Sequence, residues 1–181
     1  MGRNPTIDRD RGLDLAEAIL LRSGTGALTI EALAKAAGVS KGGIQSRFGT
    51  KNALISALMT RWVAEYETEA EALTGEHPTA VEAVHGHVII TQKIDGGSTA
   101  RAAGMMATLI EEREHLVAAN RWYQARFGGL DTDTNEGRRA RLALYAIEGA
   151  FILRSFGFVR RDEKDWHTTM GDIRALLDGM L

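Results

Sequence analysis

Apolar residues recur at spacings of three and four along almost the whole chain, the period of a helix with one buried face. Alternating runs of strand type are short, and only Pro5 and Pro78 could interrupt a helix. The pattern predicts an all-α protein of about nine helices. Leu13, Ala16 and Leu20 share one face of a first helix over 8–22, which Gly24 and Gly26 close. Ile30, Leu33, Ala34 and Ala37 form the stripe of a second, opened by Thr29 as N-cap and broken by Gly38. Ser40 caps a short third helix, and a fourth begins near Lys51 and reaches Thr74. Further helices are expected over 78–93, 98–110, 112–127, 135–158 and 163–180.

The third helix opens as KGGIQSRF, with Gly42 and Gly43 adjacent in its first turn. Each glycine in a helix costs about 1 kcal/mol relative to alanine. Around it, Ala34 is small where two helices would touch, and Gly38 sits in the turn. Val39 and Ile44 can fill the wedge between the helices. Ile30, Leu33 and Ala37 face the same core. These offsets suit a DNA-reading helix-turn-helix, and they also suit an ordinary helical hairpin with glycine in its turn.

Composition narrows the class. The 181 residues fit one domain, or a small domain followed by a medium one. Cysteine is absent, which excludes disulfides, cysteine-ligated zinc and thiol catalysis. No apolar run is long enough to span a membrane, and the charged N-terminus lacks a signal-peptide core, so a cytoplasmic protein is expected. The net charge of −2 hides an asymmetry. Residues 1–60 carry eight Lys/Arg against five Asp/Glu, and residues 61–181 carry fourteen against nineteen. A basic front and an acidic rear point to two parts with different partners.

The run LTIEALAKAAGVSKGGIQSRFGTKNAL (28–54) resembles the DNA-binding signature of the TetR family of transcriptional regulators. The resemblance rests on Thr29, the turn Gly38-Val39-Ser40, Lys41-Gly42, Phe48, and Lys51 with Leu54. It implies an N-terminal three-helix DNA-binding region over 1–50 and a larger helical ligand-binding and dimerisation domain over 51–181. It also implies a regulator, by family habit a repressor, that binds a palindromic operator as a dimer. The sequence departs from the family at Gln45, Ser46 and Arg47, where Tyr, a second Tyr and His are common. Thr29, Ser40, Lys41 and Lys51 are candidates for phosphate contact. Gln45, Ser46 and Arg47 are candidates for base edges or neighbouring phosphates, and Gln45 could pair with an adenine edge. Gly42 and Gly43 would let the backbone approach the DNA. Arg3 reads either as a minor-groove contact or as a tail residue.

The second part carries two further patterns. Leu142, Tyr145, Gly149, Ile152 and Phe156 lie on one face of the helix over 138–158, while Leu144, Ile147, Phe151 and Phe158 lie toward another. Trp166, Met170, Ile173, Leu177 and Met180 make a stripe in the last helix. A helix apolar on two sides must be covered on two sides, which the last two helices could achieve in a homodimer. Trp62, Tyr66, His85, Met105, Met106, Leu109, Trp122, Tyr123, Phe127 and Phe151 could line an apolar cavity for a small hydrophobic effector, or be ordinary core.

No nucleophile motif or phosphate loop is present, and no enzyme activity and no cofactor are implied. Glu82–His85 and Glu112–His115 have the spacing of di-iron bundle ligands, with Glu67 and Glu148 as conceivable partners. That metal-bundle reading has no use for the helix-turn-helix. A third reading, prompted by Gln45, is a helical ligand-binding or adaptor protein with weak DNA binding.

Overall fold

The computed structural model describes residues 7–93, 101, 106, 113–159 and 162–181. Among the described residues there are eight α-helices, one 3-10 turn at Thr25–Ala27 and no strand. The helices are α1 (Arg9–Ser23), α2 (Ile30–Ala37), α3 (Lys41–Phe48), α4 (Lys51–Thr74), α5 (Ala80–Gln92), α6 (Arg113–Phe127), α7 (Asn135–Ser155) and α8 (Glu163–Leu177). The helix expected over 98–110 falls almost wholly outside the described residues. No described helix is long and apolar enough to cross a membrane.

Side-chain oxygens fix most helix starts. Asp8 accepts from the Asp10 and Arg11 amides at 3.0 and 3.1 Å, and Thr29 Oγ1 accepts from Ala32 N–H at 3.0 Å. Thr79 and Glu82 close a reciprocal capping box at α5, and Thr134 and Asp162 cap α7 and α8. The Asp8 and Glu82 carboxyls lie below the usual carboxylate range, because backbone amides donate to them. Helix α7 stops at Ser155 rather than running to 158. Gly157 takes φ 68°, and the Phe158 amide turns back to the Leu153 carbonyl at 3.0 Å. Phe158 therefore leaves the buried face expected for it and is 72% exposed. Helix α8 ends at Leu177, short of 180.

The chain forms two compact units: Met1–Ala64 with Ala100–His115, and Glu65–Thr99 with Leu116–Leu181. Helix α4 contributes to both. In the first unit α1 packs on α2 and α2 on α3. Its core holds Leu13, Ile19, Leu20, Leu28, Leu33, Ile44, Phe48, Leu54, Ile55, Leu58 and Trp62. In the second, α5, α7 and α8 pack against one another around Val84, Val88, Leu144, Ile147, Trp166 and Met170. Ala140 and Ala143 are fully buried on α7, and their small side chains allow close helix approach. Trp166 donates its indole N–H to the Gln92 carbonyl at 3.1 Å, so its burial leaves no polar group unpaired.

Gly12, in the first turn of α1, is where Phe48 of α3 seats. A Cβ at residue 12 would lie 2.4 Å from Phe48 Cζ. The ring is buried and has no room to retreat without losing its packing. Gly12→Ala is therefore expected to destabilise the first unit by about 1–3 kcal/mol, despite alanine's better helix propensity. Chemical denaturation of the two proteins measures this; an alanine variant as stable as the parent would remove the constraint.

Candidate functional site

The helix-turn-helix follows from one backbone feature. Gly38 ends α2 with φ 67° and ψ 29°, the left-handed conformation that costs other residues a steric clash. The Gly38 and Val39 amides fold back onto Lys35 and Ala34 carbonyls at 3.3 and 3.1 Å. Val39 packs against the core as the turn is made. Ser40 then opens α3, its Oγ accepting from Gly43 N–H at 3.1 Å.

Helix α3 divides cleanly. Ile44 is fully buried and Phe48 is 6% exposed, and these two hold the helix. Lys41, Gly42, Gln45, Ser46 and Arg47 are exposed, and Gly43 is half-buried. Gln45 and Ser46 lie four and five residues on from Lys41 and share its side of the helix with Gly42, whereas Arg47, six on, flanks the buried stripe on its other edge. Thr29 and Ser40 are exposed at the starts of α2 and α3, and Lys51 is half-buried at the start of α4. Each capping hydroxyl uses an oxygen lone pair on a backbone amide, which leaves its O–H free to donate to a phosphate. The first-turn amides of α3 have no intrahelical acceptor and add partial positive charge. A Cβ at Gly42 would meet only Ser40 Oγ, at 4.0 Å. Packing does not require a glycine there. Arg3 lies outside the described residues.

Elsewhere in the first unit, Arg61 of α4 donates to Asp14 at 2.6 Å and to Glu17, both on α1. Arg101 donates to the other oxygen of Glu17 at 2.6 Å, and its guanidinium lies 5.4 Å from the Trp62 ring. Burial lowers the affinity of the Arg61 guanidinium for its proton, but the two carboxylates outweigh burial and leave its pKa raised. Glu17 is 8% exposed, so these contacts compensate a buried charge.

The second unit has a polar centre. Tyr66 hydroxyl lies 2.7 Å from His87 Nδ1, and His87 Nε2 lies 3.0 Å from Glu148 Oε1. Tyr123 donates to the same Glu148 oxygen at 2.6 Å. Beside them Trp122 donates its indole N–H to Glu67 at 2.6 Å, and Arg126 pairs with the other Glu67 oxygen. Trp122 meets Tyr66 and Tyr123 edge-on, with centroids 5.2 and 5.0 Å apart. Phe127 packs on His87, Trp122 and Tyr123. Burial pushes the Glu148 carboxyl up, but hydrogen bonds and charge from His87, with the Tyr123 hydrogen bond, outweigh it and hold the group below the usual carboxylate range. Burial, with Glu148 alongside, drives the Tyr123 hydroxyl far above the usual phenol range, and burial raises Tyr66 likewise. Both phenols therefore stay protonated at neutral pH.

Of the residues expected to line a cavity, Tyr66, Trp122, Tyr123 and Phe127 come together here. Trp62 does not join them; it lies in the core of the first unit. His85 is also apart, half-buried with Nδ1 3.8 Å from Asp178, and His87 takes the buried place. Phe151 is buried on α7 and is not among the rings in contact here, and Met106 is half-buried. Met105 and Leu109 lie outside the described residues. His87 was not singled out in the sequence. Its signal is a polar side chain between Val84 and Val88 in a mostly apolar helix. The carboxylates weighed for a metal have other work: Glu82 caps α5, and Glu67 and Glu148 receive the donors just described. His115 is held by Ser56 at 3.0 Å, while Glu112 lies outside the described residues. Among the described residues no three His, Asp or Glu groups converge on a metal position.

Residues 13–58 match the family described as "Bacterial regulatory proteins, tetR family", and residues 81–178 match "Tetracyclin repressor-like, C-terminal domain". No curated protein sequence matches significantly. The fold is similar to that of a transcriptional regulator from Rhodococcus sp. Rha1, which is 18% identical with a TM-score of 0.69 over 96% of this chain and 97% of that one. It is also similar to Salmonella enterica GusR, at 20% identity and a TM-score of 0.65 over 96% of this chain and 94% of that one. A structure of the fatty acid degradation regulator FadR from Bacillus halodurans is similar at 16% identity, with a TM-score of 0.51 over 95% and 99% of the two chains. With its helix-turn-helix and most of its C-terminal half both matched, the chain belongs to the TetR family of transcriptional regulators.

Proposed function

We propose that the protein is a dimeric repressor whose two α3 helices read a palindromic operator, and whose second unit binds a small molecule that releases the DNA. In this division residues 1–50 read the DNA and residues 51–181 dimerise and sense. The observation that carries it is the split surface of α3. Ile44 and Phe48 anchor the helix, while Lys41, Gln45, Ser46 and Arg47 stand exposed with no packing role. A helix of this kind enters a major groove with its N-terminal residues against the bases. Lys41 and Lys51, with the hydroxyls of Thr29 and Ser40, would grip phosphates. Gln45, Ser46 and Arg47 would face base edges.

One short helix reads few base pairs, so specificity calls for a second copy. Helix α7 supports this. Leu144, Ile147 and Phe151 are buried within the subunit, whereas Leu142, Tyr145, Ile152, Leu153 and Phe156 are exposed. Tyr145, Gly149 and Leu153 of α7 line a groove of about 260 Å³ with Trp166 and Thr169 of α8. A Cβ at Gly149 would meet nothing within 4 Å, which leaves the helix open to close approach. The effector would act on the ring cluster around Tyr66 and Trp122. It can shift DNA affinity only by favouring one arrangement of the protein over another.

Two variants test the reading surface. Lys41→Ala should weaken binding several-fold to all DNA sequences and lower the slope of log affinity against log salt by about 1. An unchanged slope would remove Lys41 from the contacts. Gly42→Ala should raise stability by up to about 1 kcal/mol, since the methyl meets open space, yet weaken DNA binding. Melting curves and operator titrations on the same preparation give both numbers. A stabilised variant that binds DNA as tightly as the parent would show that the backbone does not approach the duplex there.

A further inference from the structure

The polar centre of the second unit is unevenly paired. Both hydrogen bonds into Glu148, from His87 and Tyr123, end on Oε1. Among the described residues no hydrogen bond or ion pair reaches Oε2, and the Glu148 side chain keeps 19% of its surface exposed. A carboxylate offers about four lone-pair positions, so half of this one is unused by the protein. Its ionised form is nonetheless maintained, as the lowered pKa indicates.

The neighbouring polar groups are already committed. Both ring nitrogens of His87 are taken, Nδ1 by the Tyr66 hydroxyl and Nε2 by Glu148 Oε1, so the imidazole has nothing left to offer Oε2. Arg126 is committed to Glu67. The open side of the Glu148 carboxylate is therefore an acceptor that the described side chains leave for another donor. A positive ligand group with N–H donors would pair with it, and a carboxylate or phosphate ligand would be repelled by it. The walls favour the same sign. Tyr66, Trp122 and Tyr123 each retain accessible surface, and their faces carry the negative lobe of the ring quadrupole. Arg126 shows that these rings accommodate a planar cation, its guanidinium lying 5.1 Å from Tyr66 and 5.9 Å from Trp122.

The geometry points to an organic cation with N–H donors as the effector class, bound through Glu148 Oε2 against the rings of Tyr66, Trp122 and Tyr123. This rests on the effector role proposed above for the second unit and names the chemistry it recognises. It changes the expected ligand from a plain hydrophobic one to an amine, amidine or guanidine on an apolar or aromatic body.

Phenethylamine, phenethyl alcohol and phenylacetate share one body and differ in charge. Calorimetric titration of each into the full-length protein at neutral pH should rank them in that order, with the amine tighter than the alcohol by about tenfold or more, the worth of a charge-assisted hydrogen bond. Glu148→Gln should bring the amine down to the level of the alcohol. Tyr123→Phe removes a donor from Glu148 without removing its charge, so it should bind the amine at least as tightly as the parent. That second variant guards against a Glu148→Gln protein that does not fold. Phenylacetate binding best, amine and alcohol binding equally, no binding of the amine, or a folded Glu148→Gln variant with undiminished amine affinity would each overturn the proposal. Operator binding measured in parallel separates the two conclusions. An amine preference in a protein that binds no DNA supports the cation site and contradicts the regulator reading.

Discussion

Helix α3 is eight residues long and begins with two glycines in its first four positions, so it cannot hold its shape alone. Its form and direction depend on two buried side chains, Ile44 and Phe48, and on the left-handed turn at Gly38 that aims it. Phe48 can seat because Gly12 offers no side chain. Burial of residues of this size contributes about 2 kcal/mol each, enough to offset what the glycines give up. Stability is thus concentrated on one side of the helix, and the other side is left to Lys41, Gln45, Ser46 and Arg47. Under the proposed function, the glycine pair is a local loss accepted at a surface where the DNA backbone would come close.

Buried charge follows a different rule in each unit. In the first, Glu17 is held between two guanidiniums, Arg61 and Arg101, a structural compensation that ties α1 to α4. In the second, Glu67 has an arginine and an indole, whereas Glu148 has only an imidazole and a phenol. The contrast matters because an incompletely compensated buried carboxylate keeps affinity for a positive partner. Structural need explains the first arrangement fully. The Glu148 site is less economical as structure and more useful as recognition.

The N-terminal region was legible because its determinants are local. Thr29, Gly38 and Ser40 act within three or four residues of themselves, and the stripe Ile30, Leu33, Ala34 reports its own buried face. The two-sided apolar pattern of α7 was legible for the same reason, apart from its end, where Gly157 stops the helix before Phe158. The polar centre was not legible. Its pairs join residues 55, 59 and 61 positions apart in Trp122–Glu67, Arg126–Glu67 and His87–Glu148, and no periodicity encodes such distances. Choosing between His85 and His87 required knowing which side of α5 is covered. That helix buries Val84, Val88 and Ile90 on several sides and gives no single stripe. Trp62 and Tyr66 share a face of α4 by spacing, yet they belong to different units because the helix passes from one to the other.

The most direct measurement is selection of DNA bound by the full-length protein from a random pool. Enrichment of two inverted half-sites, centred about one helical turn apart or a multiple of it, is the expected result. It would follow from two copies presenting the exposed face of α3 together. A folded, dimeric protein that enriches no sequence and retains no DNA even at low salt would contradict the assignment of that face to DNA.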